Sequence, residues 1–232
     1  MKAKTKIISF HNQKGGCGKS TLTVLTANSL SQDCDKKVLV IDIDMQYSIY
    51  NTRQDNIKRF GKEYQFSYDI EQSNIENFWN IIKEKHMHYD VILLDLPGLL
   101  TISPTEKDKI SKILYLCDII IIPVKPGIYD IKSSITYFKT LGKYKELKQK
   151  KGGDIELHCL INMRKNNRLN KIIRPTLEKN NLSVMQSEIS DFFDYEEKKL
   201  HEVSILKSSN TNPKTKNEFR TFIEELENMI NQ

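Results

Sequence analysis

Seven consecutive residues near the start of the chain combine glycines, lysines and a hydroxyl group in an order suited to holding an anion. They read Lys14-Gly15-Gly16-Cys17-Gly18-Lys19-Ser20. An apolar run at residues 7–10 precedes them and a helical pattern from about Thr21 follows, which predicts a strand, a tight turn and a helix start. Backbone N–H groups in such a turn converge on one anion, and the helix dipole adds to the attraction. Glycine is needed because the backbone approaches the anion closely and adopts positive φ.

The motif indicates a nucleotide phosphate site. In a P-loop, Lys19 would reach the β- and γ-phosphates and the Ser20 hydroxyl would bind Mg²⁺. The plain motif has glycine at position 13, whereas this chain has Gln13 followed by a second lysine, Lys14. A chance glycine turn is the alternative, and the match of seven residues in the right context disfavours it.

The form K-G-G-x-G-K-[ST] resembles the deviant Walker A box of the ParA/MinD family of ATPases. In that family the early lysine, here Lys14, crosses a dimer interface to the nucleotide of the other subunit. The resemblance implies catalytic roles for Lys14 and Lys19. It also implies that the nucleotide is held by Lys14, Gly15, Gly16, Cys17, Gly18, Lys19, Ser20 and Thr21.

Two acids follow the next apolar run, residues 38–41. Asp42 and Asp44, at i and i+2, would point the same way at the carboxyl end of a strand, into the crevice where α/β sheets bind ligands. An acid gripping a ribose hydroxyl is the alternative, disfavoured because the upstream loop is not G-x-G-x-x-G. The family resemblance implies that Asp44 positions or activates the attacking water and that Asp42 supports the Mg²⁺ network. Met45 stands where the family usually has proline.

A further acid, Asp95, ends the apolar run at residues 91–94. At a strand tip beside the phosphate loop it would hold Mg²⁺ directly or through water, as a Walker B acid does. The family usually continues D-x-P-P, and here Gly98 follows Pro97. The loop from Pro97 to about Thr105 resembles the second switch, which would sense ATP versus ADP, with the Gly98 N–H facing the γ-phosphate.

Later segments extend the resemblance, which covers nearly the whole chain and is strongest at residues 7–46, 89–98 and 117–126. A strand predicted at 155–161 ends at Asn162. The resemblance implies that Asn162 contacts the adenine base.

Part of the net charge of +6 lies within residues 164–174, which we place on one helix with an apolar face. A basic stripe there could neutralise DNA phosphates without reading bases, and a solvated lysine-rich face is the alternative. On this stripe Arg168, Lys171 and Arg174 stand three apart, and the candidate DNA-binding residues are these three with Arg164 and Lys165.

Two other helical patterns bear on function. One spans about 75–82 and predicts a core position for Trp79. His86 and His88 after it are a possible metal pair, although histidines at a helix C-terminus are the favoured interpretation. The other begins at Pro213 and carries three basic against four acidic residues from Lys214 onward, which argues against a membrane-binding tail.

The composition excludes several classes. No apolar run approaches the ~20 residues of a membrane helix, and no secretory signal precedes the first strand, so we expect a cytoplasmic protein. The cysteines are scattered, which disfavours a disulfide framework or a zinc site; they are Cys17, Cys34, Cys117 and Cys159.

The alternating strands and helices predict one P-loop NTPase domain over residues 1–232, an α/β fold with a mostly parallel twisted sheet and helices on both faces. The resemblance, closest to short ParA proteins without an N-terminal DNA-binding domain, implies ATP and Mg²⁺ as cofactors and a homodimer in the ATP-bound state. It also implies non-specific DNA binding at the nucleoid, slow hydrolysis stimulated by a ParB-like or other centromere-binding protein, and partition of a plasmid, chromosome or mobile element. A membrane-associated positioning ATPase and an ATP-dependent metabolic enzyme on the same scaffold stay open.

Overall fold

The strands of the chain form a single parallel sheet. A computed structural model describes residues 4–61, 63–100, 102–165, 168–191, 194–195 and 202–232. The strands are β1 Lys6–Phe10, β2 Val38–Asp42, β3 Asp69–Gln72, β4 Val91–Asp95, β5 Ile119–Val124, β6 Glu156–Arg164 and β7 Val184–Ser190. Their order in the sheet is β3-β2-β4-β1-β5-β6-β7, and all the pairings are parallel.

Helices cover both faces of this sheet. They are α1 Lys19–Gln32, α2 Ser48–Phe60, α3 Phe78–Lys85, α4 Pro104–Leu116, α5 Ile128–Gln149, α6 Asn170–Lys179 and α7 Pro213–Ile230. One apolar core lies between the sheet and α3 to α6, and a second lies between the sheet and α1, α2 and α7. Neighbouring strand residues such as Ile92 and Leu93 point into opposite cores, as the period of two requires. The predicted parallel α/β fold is therefore confirmed.

The topology brings the candidate site residues to one edge. β1 lies between β4 and β5, and β2 pairs with the other side of β4. The register aligns Asp42 of β2 with Asp95 of β4. Because parallel strands end at the same edge, the loops after β1, β2 and β4 converge there.

The predicted core position of Trp79 is wrong. Its side chain is 44% exposed, whereas Phe78 and Ile81 of α3 are buried. The helix begins at Phe78, so Ile75 precedes it and the buried face is shifted by a residue. The second-strand and fourth-strand predictions hold to within a residue.

Helix α4 had no counterpart in the sequence prediction. Its start carries a capping box, in which the Ser103 hydroxyl accepts from the Glu106 N–H and Glu106 accepts from the Ser103 N–H, with Pro104 in the first turn. The loop between β4 and α4 carries Pro97 and Gly98 and is called the switch loop below; Thr101 within it lies outside the described residues.

The remaining predictions concern metals and membranes. His86 and His88 form a short 3₁₀ turn directly after α3, and within the described ranges no group of three potential metal ligands occurs. The apolar stripe of α7, which includes Phe219 and Phe222, is buried in the second core. Among the described helices, none combines the length and apolarity that spanning a bilayer requires.

Candidate active site

The phosphate-binding turn has the backbone that its glycines predict. Gly16 and Gly18 adopt positive φ of 67° and 90°, and Gly18 caps the N-terminus of α1. A Cβ on Gly18 would lie 2.5 Å from the Asn162 side-chain nitrogen. Position 18 therefore needs glycine both for its φ and for the close approach of β6. The N–H groups of the first turn of α1 face the region where an anion would bind.

A cleft of about 520 Å³ opens beside this turn. Its lining includes six of the residues predicted to hold a nucleotide, namely Gly15, Gly16, Gly18, Lys19, Ser20 and Thr21, together with the predicted Asp44, Pro97 and Gly98. Cys17 is buried behind the turn, with its Sγ 3.5 Å from the Lys14 carbonyl oxygen. Met45, noted in the sequence only for standing where the family usually has proline, also lines the cleft, and so do Gln46, Ser48, Ile102 and Met163, which no motif singled out. Their positions depend on loop paths that no motif specifies.

Asp95 is a buried acid whose charge is not balanced by hydrogen bonds. Within the described residues, neither carboxylate oxygen accepts a hydrogen bond of ordinary geometry. Burial raises the pKa of Asp95 to about 7; the negative charges of Asp42 and Asp44 act in the same direction, while the nearby Ser20 hydroxyl and Lys19 oppose the shift. A buried acceptor pair of this kind is suited to a cation, because a cation would restore the lost solvation.

Asp42 binds the N-terminus of α2. Its Oδ2 accepts hydrogen bonds from the Ile49 and Tyr50 N–H groups, at 3.1 and 3.0 Å, in the first turn of α2. Burial raises the pKa of Asp42 to about 6, with those N–H groups opposing the shift and the charge of Asp44 adding to it. Its other oxygen, Oδ1, has no partner in the described part of the chain. Asp42 therefore anchors α2 and the loop that leads to it.

Asp42 and Asp44 occupy different environments. β2 ends at Asp42, so the strand alternation does not extend to Asp44. Asp44 lies in the following loop, lines the cleft and accepts a hydrogen bond from the Gln46 N–H at 3.1 Å. Of the two acids, Asp44 is the one that faces the cleft.

The two lysines of the motif occupy different environments. Lys19 is 8% exposed, and its Nζ lies 3.4 Å from the Lys14 carbonyl oxygen. The Lys14 side chain is partly exposed, and its Nζ forms an ion pair with Asp130 of α5 at 3.3 Å. Lys19 therefore supports the turn from within, while Lys14 extends away from it.

The residues that lead into the turn each contact one face of α5. His11 contacts Tyr137, Asn12 donates to the Ser134 hydroxyl at 3.0 Å, and Gln13 donates to the Ser133 hydroxyl at 2.6 Å. With the Lys14–Asp130 ion pair, four consecutive residues meet α5 positions 137, 134, 133 and 130. Sequence analysis missed this contact series, although polar residues directly after a buried strand are a signal that they need partners.

Asn162 lies inside β6, two residues before its end. Its side-chain nitrogen donates to the Cys17 carbonyl oxygen at 2.8 Å, which ties β6 to the phosphate-binding turn. The next residue, Met163, has a positive φ of 54°, and the pairing register with β7 shifts there. The adenine contact of Asn162 stays a prediction.

The basic residues do not form one helical stripe. The predicted helix over 164–174 is wrong at its start, since Arg164 ends β6 and α6 begins at Asn170. Acids pair with three of the five cations. The pairs are Arg164 with Glu188 and Glu218 at 3.3 and 3.2 Å, Lys165 with Asp191 at 3.0 Å, and Arg174 with Glu188 at 2.8 Å. Arg168 and Lys171 are exposed at the start of α6.

Several known proteins are similar to this chain in sequence, in fold or in both. A family model described as an AAA domain matches residues 5–75. A ParA family protein of Mycoplasma pneumoniae is 25% identical over 97% of this chain and 98% of its own length. Two solved structures share the fold. A plasmid partition protein of Borrelia burgdorferi bound to AMPPNP has a TM-score of 0.66 and 21% identity, and the cell division ATPase MinD of Pyrococcus furiosus has a TM-score of 0.68 and 18% identity. Each comparison covers 97% of this chain and 99% of the solved one.

The family model spans the glycine turn and its two lysines, and the buried Asp95 at the tip of β4 lies at the same sheet edge. Together with the motifs, these comparisons support the resemblance of this chain to the ParA/MinD family of deviant Walker A P-loop ATPases.

Proposed function

We propose that residues 1–232 act as a ParA-type nucleotide switch in the cytoplasm. ATP with Mg²⁺ joins two copies, the dimer binds DNA without sequence preference at the nucleoid, and slow hydrolysis releases it, which drives partition of a plasmid, chromosome or mobile element. The observation that carries this proposal is Asp95, a buried acid beside Lys19 and Ser20 whose carboxylate oxygens accept no hydrogen bond of ordinary geometry from the described residues.

The residues present fit a magnesium ion with a nucleotide. The unpaired oxygens of Asp95 and the hydroxyl of Ser20 would hold Mg²⁺, and Asp42 would support them through its unpaired Oδ1. The ion supplies positive charge that neutralises the phosphate oxygens. The N–H groups of the glycine turn and Lys19 would bind the phosphates, and the cleft has the volume range of ligand sites.

Two residues would act on the terminal phosphate. Asp44 lines the cleft and would orient the attacking water. Lys14 is partly exposed at the mouth of the turn, so it can leave Asp130 and reach the nucleotide of a second copy. Its positive charge would stabilise the charge that develops during hydrolysis, much as an arginine finger does. Hydrolysis would stay slow until a ParB-like or other centromere-binding protein stimulates it.

DNA is the partner that the surface supports better than lipid. Arg168 and Lys171 are exposed at the start of α6, where they can contact phosphates. The apolar side of α7, by contrast, is buried against the sheet. A membrane-binding helix needs that side free to enter the lipid interface.

The test is DNA binding by the purified protein with ATP, with ADP and without nucleotide, each at two salt concentrations. We expect binding only with ATP, falling steeply as salt rises because phosphate contacts release counterions. A protein that dimerises with ATP and ignores DNA in every state would contradict the DNA part of the proposal. A protein that binds no nucleotide would contradict all of it.

A further inference from the structure

A buried histidine joins the strand before the phosphate-binding turn to the switch loop. His11 follows β1 directly and is fully buried. Its Nε2 lies 3.0 Å from the Pro97 carbonyl oxygen, and its Nδ1 contacts the Tyr137 hydroxyl of α5. Three elements therefore meet at one imidazole ring.

The partners of His11 determine where its proton sits. The Pro97 carbonyl can only accept a hydrogen bond, so Nε2 carries the hydrogen. Burial lowers the pKa of His11 to about 3, which keeps the ring neutral and leaves Nδ1 as an acceptor. Tyr137 then donates its O–H to Nδ1. The hydrogen bonds run in one direction, from Tyr137 through His11 to Pro97.

Holding the Pro97 carbonyl also orients the next N–H. In a planar trans peptide the C=O and N–H point in opposite directions, and none of the described peptide bonds is cis. With the Pro97 carbonyl turned toward His11, the Gly98 N–H points away from it. Both residues line the candidate nucleotide cleft. Gly98 also packs closely on the turn, since a Cβ there would lie 3.1 Å from the Gln13 carbonyl oxygen.

The contacts on α5 make this arrangement rigid. Asn12, next to His11, donates to the Pro123 carbonyl oxygen at 2.9 Å and to the Ser134 hydroxyl. His11 therefore sits on a segment fixed on both sides, so that movement of the switch loop has to break its hydrogen bond to Pro97.

We propose that His11, oriented by Tyr137, is a positioning residue that fixes the Pro97–Gly98 peptide so that the Gly98 N–H meets the terminal phosphate of ATP. This inference rests on the proposed function. It makes the discrimination between ATP and ADP depend on a side chain that touches neither nucleotide.

The test compares the affinities for AMPPNP and ADP, both with Mg²⁺. For wild type we expect tighter binding of AMPPNP. His11→Leu removes the donor and should weaken AMPPNP about tenfold while ADP changes less than about twofold, because only AMPPNP has the terminal phosphoryl group. His11→Gln, whose amide offers both a donor and an acceptor, should restore most of the difference.

Two further variants separate positioning from packing. Tyr137→Phe keeps the ring and removes the hydroxyl, so it should shift the AMPPNP to ADP ratio in the same direction by a smaller factor. His158→Gln replaces a histidine on β6 that bonds to Ser183, outside the cleft, and should leave the ratio unchanged. Melting temperatures of all variants show that they are folded.

Equal losses for both nucleotides in folded His11→Leu and Tyr137→Phe would overturn the inference, and so would an unchanged ratio. If the wild-type protein binds nucleotide and dimerises, neither of these results contradicts the proposed function. A wild type that binds neither nucleotide overturns both.

Discussion

Lys14 and Asp130 form an ion pair of 3.3 Å between the segment before the phosphate-binding turn and the first turn of α5. Both side chains are partly exposed, so the pair contributes little to stability, on the order of 0–1 kcal/mol. It nevertheless holds within its own chain the lysine that the proposed dimer needs for the other subunit. In the proposed mechanism, the ion pair therefore competes with dimerisation.

Asp130→Asn should release Lys14 and lower the ATP concentration at which half of the protein is dimeric, by about two- to fivefold. Analytical ultracentrifugation over an ATP titration measures this midpoint. Lys14→Ala should abolish ATP-dependent dimers while monomers still bind nucleotide. Asp55→Asn, which breaks the exposed pair with Lys58, is the matched control. A higher midpoint for Asp130→Asn would show that Asp130 orients Lys14 for the crossing and does not restrain it.

Asp44→Ala should retain nucleotide binding and lose hydrolysis. Asp44 lines the cleft from a loop, and its side chain accepts a hydrogen bond from the neighbouring Gln46 N–H, so its removal leaves the core intact. A positioned general base contributes about 10²–10⁴-fold to a rate. We expect phosphate release to fall at least about a hundredfold, with ATP-bound dimers persisting. Wild-type turnover in this variant would remove Asp44 from the mechanism.

Arg168→Glu with Lys171→Glu should weaken DNA binding and flatten its salt dependence by about 0.9 in log–log slope for each phosphate that the protein no longer neutralises. Fluorescence anisotropy at several salt concentrations measures the slope. The control reverses the charges of two exposed lysines near the C-terminal end of α5, Lys143→Glu within the helix and Lys150→Glu directly after it. Arg174 is left unchanged because it bonds to Glu188 and to two backbone carbonyls, so its reversal would disturb the fold. Equal losses in both pairs would indicate a net-charge effect and place the DNA surface elsewhere.

The positions of the glycine turn and of the acids at strand ends could be predicted from sequence because they depend only on neighbouring residues. A lysine and serine after glycines, or an acid after four buried apolar residues, sits at a position that strand and helix geometry dictate. The α/β fold could be predicted from the alternation of strand and helix patterns along the chain. The predicted core position of Trp79 was wrong because periodicity gives the spacing of buried residues along a helix. It does not say which of two adjacent apolar residues, Phe78 or Trp79, is the buried one.

Other features depend on partners distant in sequence. The sequence placed Arg164 and Arg174 among the residues free to bind DNA. In the structure both form ion pairs with Glu188 of β7. A buried pair between Arg53 and Glu202, 149 residues apart, joins α2 to the segment before α7. No spacing rule predicts such pairs, because they arise from how helices pack on the sheet. The His11–Pro97 bond, across 86 residues, was missed for the same reason.

Asp95→Asn should make the nucleotide-free protein more stable at neutral pH. The pKa of Asp95 is about 7 in the folded protein and about 3.9 when unfolded. Between these pH values the folded protein holds a proton that the unfolded chain does not, so the free energy of unfolding falls as pH rises from about 4 to about 7. Asparagine has nearly the same shape and no charge. We expect the melting temperature in EDTA to rise by roughly 10 °C at pH 8 and to match wild type near pH 4.

The same variant should lose the stabilisation that ATP with Mg²⁺ gives, because a neutral amide replaces the carboxylate that would hold the ion. Asp55→Asn, at an exposed position, should change neither the pH dependence nor the response to ligand. If Asp95→Asn melts no higher than wild type at pH 8, the carboxylate is already solvated or paired in the free protein. The buried, unbalanced charge that supports the magnesium site would then be absent. Greater stability at pH 8 together with loss of the magnesium–nucleotide response would instead show that the fold keeps an unfavourable charge at this position because the bound ion requires it.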